Sequence, residues 1–353
     1  EGPKWCGKTW ASLNHANSAV FLDDEETREK AELSLDLILN NERPELIDEW
    51  NLIPKTWDAI RRKCDDTVNK GNYILTCSTK LTDEKQKETI HHSGAGRIGR
   101  IRMHTMSLYE SGDSTGKVSI QDMFNGKLEN QLNEKVTLEK IASLIVRGGW
   151  PSNIKVPQDK IGIIPKGYID AIIEKDINDD KKRDKNKMMM LLRSLARNET
   201  TVVNNNTLIK DIGENATGNE LIESRITIDD YLDVLNRLNI VENQPAYSEN
   251  YRSPNRVGKS AKRHFTDPSL ACACLDLTTE KLIDDLRTFG LMFEALVERD
   301  LKIYMEYLDG SLYHFRDNTT GLEVDSILEF RDGEYAAVEI KLGFNQVEDA
   351  KKS

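Results

Sequence analysis

Near its start the chain reads Gly2-Pro3-Lys4-Trp5-Cys6-Gly7-Lys8-Thr9, which satisfies G-x-x-x-x-G-K-[ST] at every specified position. Glycines at that spacing let a short loop turn its backbone N–H groups inward around phosphates, and the helix that follows adds its positive N-terminus. Lys8 would reach the β- and γ-phosphates of a nucleotide, and the Thr9 hydroxyl would ligate magnesium. The nucleotide-binding set is these eight residues together with Trp10.

Hydrolysis needs more than a phosphate cradle. Glu45-Leu46-Ile47-Asp48-Glu49-Trp50 supplies two adjacent carboxylates at the end of a short apolar stretch. Asp48 would hold the hydrated magnesium and Glu49 would polarise the attacking water. Tyr73-Ile74-Leu75-Thr76-Cys77-Ser78 reads as a buried strand ending in hydroxyls, with Ser78 as candidate γ-phosphate sensor. A further strand over residues 18–23, and helices over 27–40 and 54–65, give strands and helices in alternation. After a phosphate loop this implies a parallel sheet with helices on both faces.

These segments, with Trp57-Asp58-Ala59-Ile60-Arg61, His92-Ser93-Gly94-Ala95-Gly96-Arg97 and Met106-Ser107-Leu108-Tyr109-Glu110, resemble the AAA+-type ATP-binding proteins of bacteria and archaea. That family carries a C-terminal domain of unknown function related to PD-(D/E)xK nucleases. The resemblance runs through nearly the whole chain. It departs at Cys77, where the family usually has glycine, and at Thr105, where it usually has proline. It implies ATP as the nucleotide, Mg2+ as its metal, and Arg97 or Arg100 as an arginine finger acting in the same or a neighbouring subunit. A surface or ion-paired role for either arginine stands equally open.

The chain has 353 residues with 60 acidic against 49 basic side chains, a net charge of -11, which argues against non-specific coating of nucleic acid. Any contact with DNA or RNA must be local. Two acid-free stretches allow it: residues 89–109 with Arg97, Arg100 and Arg102, and residues 250–266 with Arg252, Arg256, Lys259, Lys262 and Arg263. Solvated faces explain both equally well. Five scattered cysteines argue against a disulfide framework and for a reducing, cytoplasmic home. Cys272 and Cys274 read as buried thiols. The longest apolar run, residues 270–275, is far too short to span a bilayer.

The expected organisation is a P-loop AAA+-type parallel-sheet domain over residues 1–155, a helical, winged-helix-like segment over 156–245, and an α/β PD-(D/E)xK-like domain over 246–353. The motif opens the sequence at once and a helix is expected to begin after Gly343, so a strand before the loop and a C-terminal extension are expected to belong to a longer protein. In the middle part, residues 174–187 read as solvated, and Thr227-Ile228-Asp229-Asp230 reads as a capping box opening a third helix. Glu220, Glu223, Asp229, Asp230 and Asp233 make that segment acidic, which suits a protein-contact lid better than a DNA reader.

The last part reads as one or two helices over residues 279–308 and three strands. Alternation puts Asp325 on one strand and Glu339 with Lys341 on the next, so that Asp325, Glu339 and Glu294 or Glu298 from the helix could meet around one magnesium ion, with Lys341 steadying the developing charge. A cross-strand ion pair explains Glu339 and Lys341 equally. The partners left open are DNA or RNA, a protein or a second copy of the chain; a membrane is excluded. The alternative function is a nucleotide-dependent regulatory switch whose nuclease-like domain is non-catalytic.

Overall fold

The computed structural model describes residues 1–66, 69–82, 84, 88–127, 136–178, 182–213, 225–248, 252, 261–317 and 320–343. Arg256, Lys259, Glu220, Glu223 and the helix expected after Gly343 lie outside the described residues. The chain divides into two compact units, Glu1–His104 with Leu235–Asn239, and Thr105–Val234 with Ile240–Ser353.

In the first unit β1 (Ser18–Phe21), β2 (Glu45–Asp48) and β3 (Tyr73–Leu75) form a parallel sheet in that order. β2 is central and buried at every residue, as a strand covered on both faces must be. The helices are α1 (Lys8–Leu13), α2 (Glu25–Leu33) and α3 (Lys55–Asp65). Asp24 caps α2, accepting from the Thr27 N–H at 2.9 Å. That helix is shorter than expected: Ser34 is extended and a 3-10 turn, Leu35–Leu37, follows it. Val20, Leu22, Leu39, Ile47, Trp50, Trp57 and Ile60 fill the core, with the Trp50 and Trp57 rings 5.1 Å apart. Beside the loop, the Glu1 N-terminus donates to Ile101 O at 2.9 Å and Met103 N donates to Glu1 O at 2.7 Å, one step of parallel pairing.

The second unit places α4 (Leu138–Arg147), α5 (Ile163–Glu174), α6 (Lys185–Arg197), α7 (Asn205–Gly213) and α8 (Arg225–Arg237) before an antiparallel pair, β4 (Val241–Gln244) and β5 (Lys262–Phe265). Then come α9 (Pro268–Cys274), α10 (Leu286–Tyr307) and an antiparallel sheet of β6 (Ser311–Arg316), β7 (Glu323–Glu329) and β8 (Tyr335–Val338). Two expectations fail here. Thr227 is not a cap, because the helix is already running at Arg225. Residues 174–187 are not uniformly solvated either: Arg183 is buried, forked onto Asp230 at 3.0 and 3.1 Å and donating to Ile177 O at 2.8 Å. A guanidinium whose planar fork is fully matched tolerates burial that a lysine would not.

One fully buried carboxylate joins four segments of this unit. Asp267 accepts from Thr105 Oγ1 at 2.7 Å, Gly149 N at 3.0 Å, Ser269 N at 3.0 Å, Ser269 Oγ at 2.6 Å and Arg299 Nη1 at 2.9 Å. Arg299 also grips Asp300, whose other oxygen accepts from Leu108 N at 2.9 Å. Burial alone would raise the Asp267 carboxyl, but Arg299 and these donors hold it below its ordinary range. Gly148 and Gly149 are required by this crowding. A Cβ on Gly148, at φ 68°, would sit 2.3 Å from Ser269 Oγ, and one on Gly149 would sit 2.1 Å from Met106 O. Trp150, wholly buried, donates from Nε1 to Ser269 Oγ at 2.9 Å and lies 4.8 Å from the Tyr168 ring.

A second buried chain of bonds fixes protonation states. Gln244 Nε2 donates to Tyr313 O at 3.0 Å, which leaves Oε1 facing His264 Nε2 at 2.8 Å. Nε2 therefore carries a hydrogen; with burial keeping the ring neutral, Nδ1 is an acceptor and Glu199 Oε1, 3.1 Å away, donates to it as a neutral acid. Phe265 N donates to the other oxygen, Glu199 Oε2, at 3.1 Å. Burial acts in the same sense, pushing Glu199 up to about 8 and His264 down to about 4.

Replacing Asp267 with alanine leaves the buried donors of Thr105, Gly149, Ser269 and Arg299 Nη1 without their acceptor, Arg299 keeping only Asp300, and is expected to destabilise the protein by about 3–5 kcal/mol, read as a lowered urea midpoint. For pH, a lowered His264 contributes stability that is complete above 6.5 and lost toward about 4. A raised Glu199 contributes stability that is complete below 4.5 and lost toward about 8. The two slopes oppose each other at mildly acid pH, and only the Glu199 loss remains between about 6.5 and 8. Glu199→Gln, which keeps a donor for Nδ1 and an acceptor for Phe265, should flatten the urea midpoint over that interval. An unchanged slope in the variant would contradict the neutral-acid assignment.

Candidate functional site

The loop before α1 bends through two residues at positive φ, Trp5 at 62° and Gly7 at 99°. Gly2 is needed for a different reason: a Cβ there would lie 2.3 Å from Met103 O. Lys8 is buried and folds back across the loop, donating from Nζ to Gly2 O at 3.0 Å and Pro3 O at 2.8 Å. Pro3 and Cys6 are buried, Lys4 is half-buried, and Trp5 and Trp10 are exposed.

The carboxylates arrive from the end of β2. Thr9 Oγ1 lies 3.1 Å from both oxygens of buried Asp48, and the Thr76 hydroxyl donates to Asp48 Oδ1. Glu49 leaves the strand at φ 53°, which swings it off the line of the sheet. Its Oε2 accepts from Ser78 N and Ser78 Oγ, each at 3.4 Å. Lys8, Thr9, Asp48, Glu49 and Ser78 thus gather at the ends of parallel strands, as their order in the sequence implied. Thr76 is an addition, just past the end of β3 and two residues before Ser78. Cys77 between them is buried, its thiol pushed up to about 11 by desolvation, so its side chain faces the core. The adjacent Thr9 hydroxyl and Asp48 carboxylate are hard oxygen donors of the kind Mg2+ takes beside nucleotide phosphates, and they fit that ion.

The two arginines are held elsewhere in the unit. Arg97 Nε donates to Asp65 Oδ1 at 2.7 Å, at the end of α3. Arg100 stands 5.9 Å over the Trp57 ring.

In the second unit the expected carboxylates do not share one point: they fall into two pairs, each around a lysine the chain itself supplies. Lys262 on β5 is buried, with Nζ 2.7 Å from Glu294 Oε1, 3.1 Å from Glu298 Oε1 and 3.2 Å from Asp325 O. Ser326 Oγ donates to Glu298 Oε1 at 2.9 Å. Burial alone would lower the Lys262 ammonium, but Glu298 and Glu294 raise it above its ordinary value. Desolvation pushes Glu294 up, and the Lys262 ammonium 2.7 Å away draws it back toward the charged form. Lys341 gathers the other two: its Nζ is 2.5 Å from Glu339 Oε1 and 3.8 Å from Asp325 Oδ2, which also accepts from Ile340 N at 2.7 Å. Because β8 ends at Val338, Glu339 and Lys341 sit beyond its last paired residue, where alternation does not govern their direction.

Glu298 Oε2 and Glu339 Oε2 are buried without a hydrogen-bond partner, the former 3.6 Å from His264 Nε2. Among the described residues no set of three or more His, Cys, Asp or Glu side chains is placed to hold a metal ion. Glu294 and Glu298 do not fit a metal, since the oxygens they turn toward the cluster are taken by an ammonium. Lys262 was legible only as one base in an acid-free stretch.

Residues 1–112 match the model of the AAA domain family, residues 138–281 match a domain of unknown function (DUF8612), and residues 289–353 match a second (DUF4143). No curated protein and no solved structure matches the chain. No helix among the described residues is long and apolar enough to cross a membrane. The family match agrees with the loop, the parallel sheet and the paired carboxylates: the N-terminal part of this chain is similar to the AAA domain family.

Proposed function

We propose that the chain binds ATP with Mg2+ and hydrolyses it at the loop of residues 2–9. The observation that carries this reading is the meeting of Thr9 with Asp48 at 3.1 Å, beside a lysine already inside the loop. Lys8 exchanges its bonds to Gly2 O and Pro3 O for phosphate oxygens and neutralises charge there. Thr9 and Asp48 would hold Mg2+, which when bound screens the phosphates. Glu49, oriented by Ser78, aligns a water with the terminal phosphorus and accepts its proton as the bond to the leaving ADP oxygen breaks. Arg97 or Arg100 completes the site only after leaving Asp65 or Trp57, which a second copy of the chain could bring about. Five unpaired cysteines support a reducing, cytoplasmic setting.

For the second unit we read residues 156–245 as winged-helix-like and residues 246–353 as PD-(D/E)xK-like, on the order of α6, α7, α8, β4 and β5 and of α10 with β6, β7 and β8. Two functions follow from that reading: nucleotide-gated handling of DNA or RNA, or a non-catalytic module switched by nucleotide. The lysine inside the carboxylate cluster favours the second. Phosphate release measured with and without DNA or RNA separates them, because only the first is stimulated by nucleic acid.

Lys8→Ala is expected to abolish ATP binding by calorimetry. Glu49→Gln should keep binding and lose at least about a hundredfold in turnover, the scale of a general base. Hydrolysis at the wild-type rate in Glu49→Gln would remove that carboxylate from the mechanism.

A further inference from the structure

We infer that Lys262 is a built-in cation of the second unit, permanently holding the carboxylates of Glu294 and Glu298 in place of a divalent metal. Three observations carry this, and none depends on the ATPase reading. The ammonium is almost wholly enclosed, and its three nearest oxygens come from different elements, two from one face of α10 and one from the β7 backbone. Glu294 and Glu298 are four residues apart, so one turn of helix presents both to the same point, and Lys262 fills that point. The cluster is also closed around the pair: Ser326 Oγ satisfies the same Glu298 oxygen that Lys262 does, and His264 stands beside the other.

The arrangement divides the six charged groups into two sets. Lys262 serves Glu294 and Glu298 in the interior, while Lys341 serves Glu339 and Asp325 nearer the surface. A metal entering the inner set would have to expel a buried ammonium from the two carboxylate oxygens that the metal itself needs. Within this cluster only Asp325 and Glu339, which Lys341 holds nearer the surface, are left to meet a divalent ion. The inner lysine also ties β5 to α10 and β7, so the same cation that excludes metal holds helix against sheet.

The test uses the full chain without nucleotide and Mn2+ as probe, read by electron paramagnetic resonance. Glu294→Gln and Glu298→Gln should leave Mn2+ affinity unchanged from the wild type, whether or not the wild type binds the ion measurably. Lys262→Ala should lower the melting temperature and make it rise on adding Mn2+, because two freed carboxylates then bind the native state preferentially, whereas the wild-type value should not respond through these residues. A loss of at least about tenfold in Mn2+ affinity in either glutamine variant, as expected for removing a true ligand, would overturn the inference. If Lys262→Ala does not fold, the two glutamine variants decide the question alone.

Discussion

A carboxylate with no access to water is an unfavourable thing to bury, and the second unit is arranged so that Asp267 is never short of a donor. Five hydrogen bonds reach it from Thr105, Gly149, both donors of Ser269 and Arg299. They come from a loop, a helix terminus, the N-terminus of α9 and the middle of α10. Without the carboxylate these segments would present unpaired backbone and guanidinium groups to one another, each costing about 1–3 kcal/mol or more. With it, the chain must pass very close on all sides, which is why two consecutive residues have no side chain.

The loop and strand ends of the first unit are built on another principle. Its polar groups are few and lie within short reach of the strand ends, and their partners are other members of the same site. Lys8 bonds to its own loop, Thr9 and Thr76 to Asp48, Ser78 to Glu49. Such a cluster is complete in itself, so an incoming group that takes over its internal bonds need not leave buried groups unsatisfied.

That contrast explains what could be read from the chain alone. The loop, β2 and β3 are local patterns: glycine spacing, an apolar run ending in two acids, a strand ending in hydroxyls. Each maps to one element, and Lys8, Thr9, Asp48, Glu49 and Ser78 fall together as expected. The acids of the second unit were also legible, because Glu294 and Glu298 share a helix face and Asp325 and Glu339 flank a tight turn. Their counter-ion was not. Lys262 lies 32 residues before Glu294 within a run of bases that composition describes as a surface. Arg183 was hidden in the same way, in a stretch of near-balanced charge whose one buried member is set by Asp230, 47 residues later. Long-range pairing of opposite charges leaves no periodicity behind.

Trp150 has a consequence of a practical kind. The chain's five tryptophans stand at positions 5, 10, 50, 57 and 150, so four belong to the first unit and Trp150 alone to the second. Its indole is dry, hydrogen-bonded to Ser269 and packed near Tyr168, whereas Trp10 is 79% exposed. Emission from the second unit is therefore that of a single, fixed, blue-shifted chromophore one hydrogen bond away from the Asp267 junction. In a chain whose other tryptophans are replaced by phenylalanine, the colour of its fluorescence would report loosening at that junction directly.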